Sequence, residues 1–299
     1  MHWFEKSRLL AMVALTLGLG QAVAFGSSSG TATNITGLDY TGTDTSGALA
    51  AGGTQDQTWY VTYANVNGTN YTGNSQYTGA AYVIDNSYIA GESYIQNSNS
   101  SEWITAPGAG TSTSGTSTNS GGDYLPGDGV TSATYSYTLT FSIIGSGGNG
   151  KQIQSQSNGG SNIQISLTIA ADDNYYIYMN PTLNSNGSVN TGSSLAGPTG
   201  LASWTNSTTV YLQNYATGSL SSNANFYVGT NTLSIVVENT NQGLTGINPS
   251  GVLLYEVSEA TINGHPVPEV STWLLLVGAL GLYQVEAMRR RKQTRSALA

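Results

Sequence analysis

Residues 135–143 read Tyr-Ser-Tyr-Thr-Leu-Thr-Phe-Ser-Ile, with every odd-numbered position aromatic or aliphatic and every even one a small hydroxyl. Successive side chains on a strand point to opposite faces, so this strict period of two demands a strand with one buried and one wet face. On a helix the same residues would scatter round the axis. The rhythm returns in Ile163, Ile165, Leu167 and Ile169, and again in Leu233, Ile235 and Val237. Trp59, Val61 and Tyr63 share a face in a further run, and residues 80–84, 101–105, 174–180, 208–213 and 252–257 complete the candidate strands. β-branched and aromatic side chains dominate these runs, as a pleated, half-buried surface prefers. No window between the termini sustains a three-to-four residue apolar period, and the helix formers Lys, Glu and Arg are scarce. The chain is therefore predicted to be all-β, with roughly eight to ten antiparallel strands in two packed sheets joined by Asn-, Gly- and Ser-rich turns.

Composition narrows the chemistry. Cysteine is absent, so neither disulfides nor thiolate metal sites hold this fold. The two histidines, His2 and His265, stand outside the strand-rich body, which removes the commonest general base and metal ligand from it. Thirteen of the sixteen acids fall between Phe25 and Gly264 against the single base Lys151, leaving that region near −12. Nucleic acid and anionic lipid headgroups require a Lys/Arg footprint, and both are excluded as partners of the body. An acidic surface rich in Asn, Ser, Thr and Gly stays hydrated and soluble at a cell exterior. The stretch 107–122, almost entirely Gly, Ser and Thr, is expected to be a surface loop.

The candidate sites are few. Asp172-Asp173 is the adjacent acid pair of the body, and neighbours on a strand face opposite ways, so the two carboxylates do not flank one glycosidic bond. They read as turn caps, with a structural calcium ion as the alternative, because Ca²⁺ takes oxygen ligands and needs neither His nor Cys. Glu238 and Glu256 are further oxygen donors for such an ion. Asp123 and Asp128 bracket the Pro126-Gly127 turn and read as solvated turn acids. Nineteen tyrosines and five tryptophans beside so little charge form a palette suited to sugars, whose apolar faces stack on such rings. Tyr176 and Tyr178 share the face opposite Ile177 and Met179, so burial of the latter would expose a tyrosine pair for glycan stacking. Trp204, in a polar insertion, is the other stacking candidate. Cysteine and a body histidine are missing and the acids form no convincing carboxylate couple, so a hydrolase is the remote reading.

The two ends carry greasy segments, each with positive charge at its outer edge. Lys6 and Arg8 precede an apolar run to Leu19, and Ala22-Val23-Ala24 supplies the small residues a signal peptidase reads, so residues 1–24 are expected to be a secretory signal helix. Residues 25–56 are a Ser/Thr/Gly-rich leader or first hairpin, 57–264 the β-domain, and 265–299 a tail. The tail holds Pro268-Glu269-Val270, an apolar helix from Trp273 to Tyr283 that is short for a span of roughly 20 residues, and the basic cluster Arg289, Arg290, Arg291 and Lys292. Positive charge there keeps the terminus cytoplasmic and everything upstream outside.

This order of motif, apolar segment and basic cluster resembles the PEP-CTERM sorting signal of Gram-negative exported proteins, with Val270 where a second proline usually stands. The resemblance implies an exosortase-like processing enzyme as partner, alongside signal peptidase. It also implies passage through the inner membrane and a final place at the cell surface or in an exopolysaccharide or biofilm matrix. A second resemblance runs through Ser-Glu-Trp-Ile at 101–104, residues 135–141, Ala-Ala-Asp-Asp-Asn at 170–174, residues 229–239 and Asn-Pro-Ser-Gly-Val at 248–252. These segments look like a galactose-binding-like jelly-roll β-sandwich. The expected function is that of a non-catalytic surface or matrix protein associating with polysaccharide, and the alternative is a dedicated carbohydrate-binding module.

Overall fold

A computed structural model describes residues 29–44, 46–75, 77–84, 95–107, 132–172, 174–190, 205–215, 222–240 and 251–267. The signal segment, the Pro268-Glu269-Val270 motif, the apolar and basic parts of the tail, Trp204, Asp173, Asp123 and Asp128 lie outside the described residues. Among the described residues no helix is long and apolar enough to cross a membrane.

The described chain is all-β. In order come β1 (Thr31–Thr36), β2 (Gln55–Val66), β3 (Thr69–Asn70), β4 (Gly79–Val83), β5 (Ile104–Thr105), β6 (Ser132–Ser146) and β7 (Gln152–Ile153). A single 3₁₀ turn at Gln156–Asn158 follows, and then β8 (Ile163–Asp172), β9 (Asn174–Met179), β10 (Thr208–Gln213), β11 (Ser222–Asn223) and β12 (Phe226–Tyr227). β13 (Gly229–Thr240), β14 (Gly251–Ile262) and β15 (His265–Pro266) complete the described set. Pairing is antiparallel throughout the main path except for the short β10–β11 contact. The strand order β11-β10-β8-β14-β5-β4-β2-β6-β13-β9 forms one hydrogen-bonded path. It is consistent with a β-sandwich, its two halves joined where β5 pairs with both β4 and β14.

The strict alternation of residues 135–143 produces the axis of one half. β6 is fifteen residues long, and Tyr135, Tyr137, Leu139, Phe141 and Ile143 are all buried on its inner face. One edge of β6 pairs along its length with β13, while the other is shared end to end by β2 and β1. β8 does the same for the second half, contributing Ile163, Ile165, Leu167 and Ile169 to a core that also takes in Trp59, Val61, Ile177, Leu233, Ile235, Val252 and Leu254. Burial of a large apolar side chain contributes about 1.5–3 kcal/mol, and these rows are the main favourable term.

Two smaller apolar clusters lie on the outer faces. Ile84, Trp103, Ala170 and Leu253 form one, its indole Nε1–H donating to the Ile95 carbonyl at 2.8 Å. Tyr178, Val189 and Val236 form the other, with Tyr176 half-buried against it. Asn-Gly turns close the short ribbons at both ends of the body. Asn67 and Gly68 stand at φ 49° and 80°, and Asn263 and Gly264 at 54° and 78°, the left-handed pair that a two-residue hairpin loop requires.

Pairing runs past both expected boundaries of the β-domain. The Ser/Thr/Gly-rich segment 25–56, expected as a leader or first hairpin, carries β1 in its described part, which pairs with residues 142–146 of β6 and sets Ala32 and Ile35 in the core. Its low apolar content is offset by hydrogen bonds, with Thr41 and Thr43 fully buried. At the other end β15 pairs with Thr261 and Ile262, and Val267 packs on the core, so the folded unit passes residue 264 into the stretch assigned to the tail.

Candidate functional site

β2 departs from its partner β4 between Gln55 and Tyr60, where the ladder register jumps. Asp56 sits in this irregular stretch, fully buried. Its Oδ1 accepts the backbone N–H groups of Thr58 and Trp59, each at 2.8 Å, and the Thr58 hydroxyl at 3.0 Å. Its Oδ2 accepts the N–H of Gly42 at 2.7 Å. Burial pushes this carboxyl above its ordinary range, against the opposing pull of the Trp59, Thr58 and Gly42 N–H groups. The result is a staple that fixes the 41–54 segment beside β2.

That segment then turns back on itself. Thr43 bridges Leu49, the Asp44 N–H donates to the Ala48 carbonyl at 2.8 Å, and the Gly47 N–H donates to the Asp44 carbonyl at 2.9 Å. The Asp44 carboxylate is exposed and accepts the Ser46 hydroxyl, the Ser46 N–H and the Ala48 N–H, which together hold it below the usual carboxylate range. Leu49, at the end of the turn, is left 41 % exposed.

Between this turn and the outer face of β2 and β4 lies a shallow concavity of about 730 Å³, lined among others by Asp44, Leu49, Thr54, Gln55, Tyr60 and Ala80. Tyr60 stands in it 49 % exposed, because Trp59 and Val61 on either side point into the core. Its cross-strand neighbours are Ala80 on β4 and Thr138 on β6. Both are small, so the ring stands clear of them. The Thr138 hydroxyl is bonded to that of Thr62 at 2.9 Å, and the Gln55 amide donates to the Tyr82 hydroxyl at 3.0 Å. An exposed ring and an aliphatic rim, ringed by amide, hydroxyl and carboxylate oxygens, can bind a flat polyhydroxylated ligand by stacking and hydrogen bonds.

The alternation read along β2 pointed to Trp59, Val61 and Tyr63 and passed over Tyr60. The signal for it was present, since an aromatic on the even side of a strand whose odd side is core turns to the outer face of the sheet. Asp56 carried one too: Asp-x-Thr ahead of a strand is the pattern of a carboxylate that bonds backbone two and three residues on.

The tyrosine pair expected on β9 is not formed as an exposed platform. Ile177 and Met179 are buried as required, but Tyr178 is itself only 1 % exposed. The polar segment following β9 forms a small ribbon through the Leu183–Val189 bridge and folds over this outer face, setting Val189 on Tyr178 and Val236. Asn70 Nδ2 donates to the Asn186 carbonyl at 3.0 Å and ties the ribbon to the far side of the sheet. Tyr176 stays half-buried, its phenol raised by burial and by the Glu238 carboxylate beside it.

Asp172 is buried at the end of β8 opposite Gly251, and among the described residues no three His, Cys, Asp or Glu side chains gather as a metal site would require. A second concavity of about 570 Å³ is lined by Ser155, Gln156, Ser157, Asn162 and Tyr215, and the Tyr215 hydroxyl donates to Gln164 Oε1 at 3.1 Å. Compared with protein-family models, curated proteins and solved structures, the chain matches none.

Proposed function

We propose that this is an exported, non-catalytic protein of the cell surface or extracellular matrix, processed at Pro268-Glu269-Val270 and associating through its β-domain with exopolysaccharide. The observation that carries the reading is the pair of termini. A basic and apolar start ends in Ala22-Val23-Ala24, and a Pro-Glu motif, a short apolar run and the Arg289 to Lys292 cluster close the chain. A jelly-roll connection of the strands belongs to the same reading, as does calcium at Asp172 and Asp173.

The non-catalytic part is supported by how the carboxylates of the concavity are used. Asp56 is buried under backbone donors, out of a ligand's reach, and Asp44 is held below the usual carboxylate range by its own turn, which makes it a weak base and no proton donor. The deciding measurement is the C-terminal mass of the mature chain recovered from outside the source cell. Termination near residue 268 is expected. A chain recovered from the cytoplasm with both extremities, or outside the cell still carrying Arg289 to Lys292, overturns the processing.

The concavity around Tyr60 favours a second reading, a dedicated carbohydrate-binding module with one preferred glycan. Selective retention of one sugar on a glycan array would replace general matrix association with this.

A further inference from the structure

We propose that the outer face of β2 and β4, with the 43–49 turn as its rim, is a binding site for a neutral polysaccharide chain laid across Tyr60. This rests on the association with polysaccharide proposed above and names where it occurs. Among the described residues, five large hydrophobic side chains are conspicuously exposed: Leu49, Tyr60, Ile144, Leu183 and Tyr211. Two of the five, Leu49 and Tyr60, line the same concavity, so exposed apolar surface is gathered there and scattered elsewhere.

Backbone geometry keeps the site open. Ala80 and Thr138 flank Tyr60 in the ladder, and neither is large enough to cover its ring. The concavity is shallow and lies on the face of a sheet, which suits an extended chain gripped along one side better than an enclosed small molecule. The polar partners are already held: Gln55 by Tyr82, Thr62 by Thr138, and the Asp44 carboxylate by its own turn through Oδ1, leaving Oδ2 to receive a sugar hydroxyl. Groups fixed before binding lose little freedom on contact.

Charge selects the class of glycan. Among the described residues no cation lines the concavity, the Asp44 carboxylate is held below the usual range by its turn, and the whole stretch from Phe25 to Gly264 has Lys151 as its one base. Uronate or sulfate groups would meet repulsion without a counter-charge, whereas neutral hexose units lose nothing.

Affinity electrophoresis of the purified full-length chain tests this, with dextran, galactomannan and xyloglucan as neutral probes and alginate as the acidic one. Retardation by at least one neutral probe and none by alginate is expected. Tyr60→Ala should weaken that retardation about tenfold, the order expected on losing one stacking ring. Tyr211→Ala, which removes an exposed ring from β10, should change it less than about twofold. Retardation of the parent with Tyr60→Ala equal to it, or with Tyr211→Ala equally weakened, overturns the site and leaves polysaccharide association standing. No retardation of the parent by any probe overturns both. Unchanged circular dichroism of the variants guards against a folding artefact, and Tyr60→Phe, which keeps the ring, should restore most of the binding.

Discussion

The backbone N–H of Gly42 donates to Oδ2 of Asp56 at 2.7 Å, joining two residues fourteen apart inside a loop that carries few apolar side chains. Gly42 sits at φ +73°, and a Cβ there would come within 2.5 Å of the Glu102 Cβ. The contact thus depends on a left-handed backbone and on the missing side chain together. Asp56→Ala would leave the N–H groups of Gly42, Thr58 and Trp59 without this acceptor. A loss of about 2–4 kcal/mol is expected in urea unfolding, from the cost of buried unsatisfied donors. A loss under about 0.5 kcal/mol would mean that the 41–54 segment holds itself.

The same carboxyl sets a pH dependence of definite sign. Burial raises its folded value above the ~3.9 of an unfolded aspartate, so the folded chain binds more protons between the two. Stability from this group is complete below the unfolded value and declines as pH rises through the folded one. Asp56→Asn cannot titrate and should lack this part of the slope. Unfolding free energies from about pH 3.5 to 7 should show the parent losing ground to the variant as pH increases, and a gain would reverse the assignment.

Thr41 makes the longest-range side-chain contact near the site. It is fully buried, and its Oγ1 accepts the Leu254 N–H at 3.0 Å across 213 residues of sequence. Thr41→Val keeps the shape but strands that N–H, which should cost about 1–3 kcal/mol. Amide exchange at Leu254 should quicken in the variant, and unchanged protection would count against the role given to the hydroxyl.

Tyr178 separates ring from hydroxyl. Its ring is covered by Val189 and Val236, while its buried hydroxyl finds no hydrogen-bond partner among the described residues. Tyr178→Phe should therefore be neutral or stabilising by up to about 1 kcal/mol, whereas Tyr178→Ala should cost about 3–5 kcal/mol through the cavity it leaves. Thermal unfolding of both variants provides the comparison.

Strand faces were legible wherever the period of two ran unbroken. Tyr135 to Ile143 and Ile163 to Ile169 bury the odd-numbered rows that the alternation predicts. Legibility failed where the ladder was irregular or where something lay over the sheet. β14 was visible only over 252–257, because register shifts between Leu254 and Glu256 and between Val257 and Glu259 break the rhythm of a twelve-residue strand. Ser136, on the even side of β6, is 1 % exposed, and Tyr178 is buried by a ribbon that no local pattern announces. Of the site, Tyr60 was inferable from parity. That Leu49 lines the same concavity was not, since this depends on the Asp56 staple between segments of unlike composition.

The sharing of one β6 edge by β1 and β2 has a temporal side. Thr31 meets Ser146 only after 115 further residues exist, and Thr41 waits for Leu254 at the far end of the body. A polypeptide emerging from its amino end therefore carries β1 unmatched until Ser146, about halfway along the chain, has been made. Such remote pairings make assembly slow and its closing step late, so a prematurely truncated product would expose a bare margin to its neighbours.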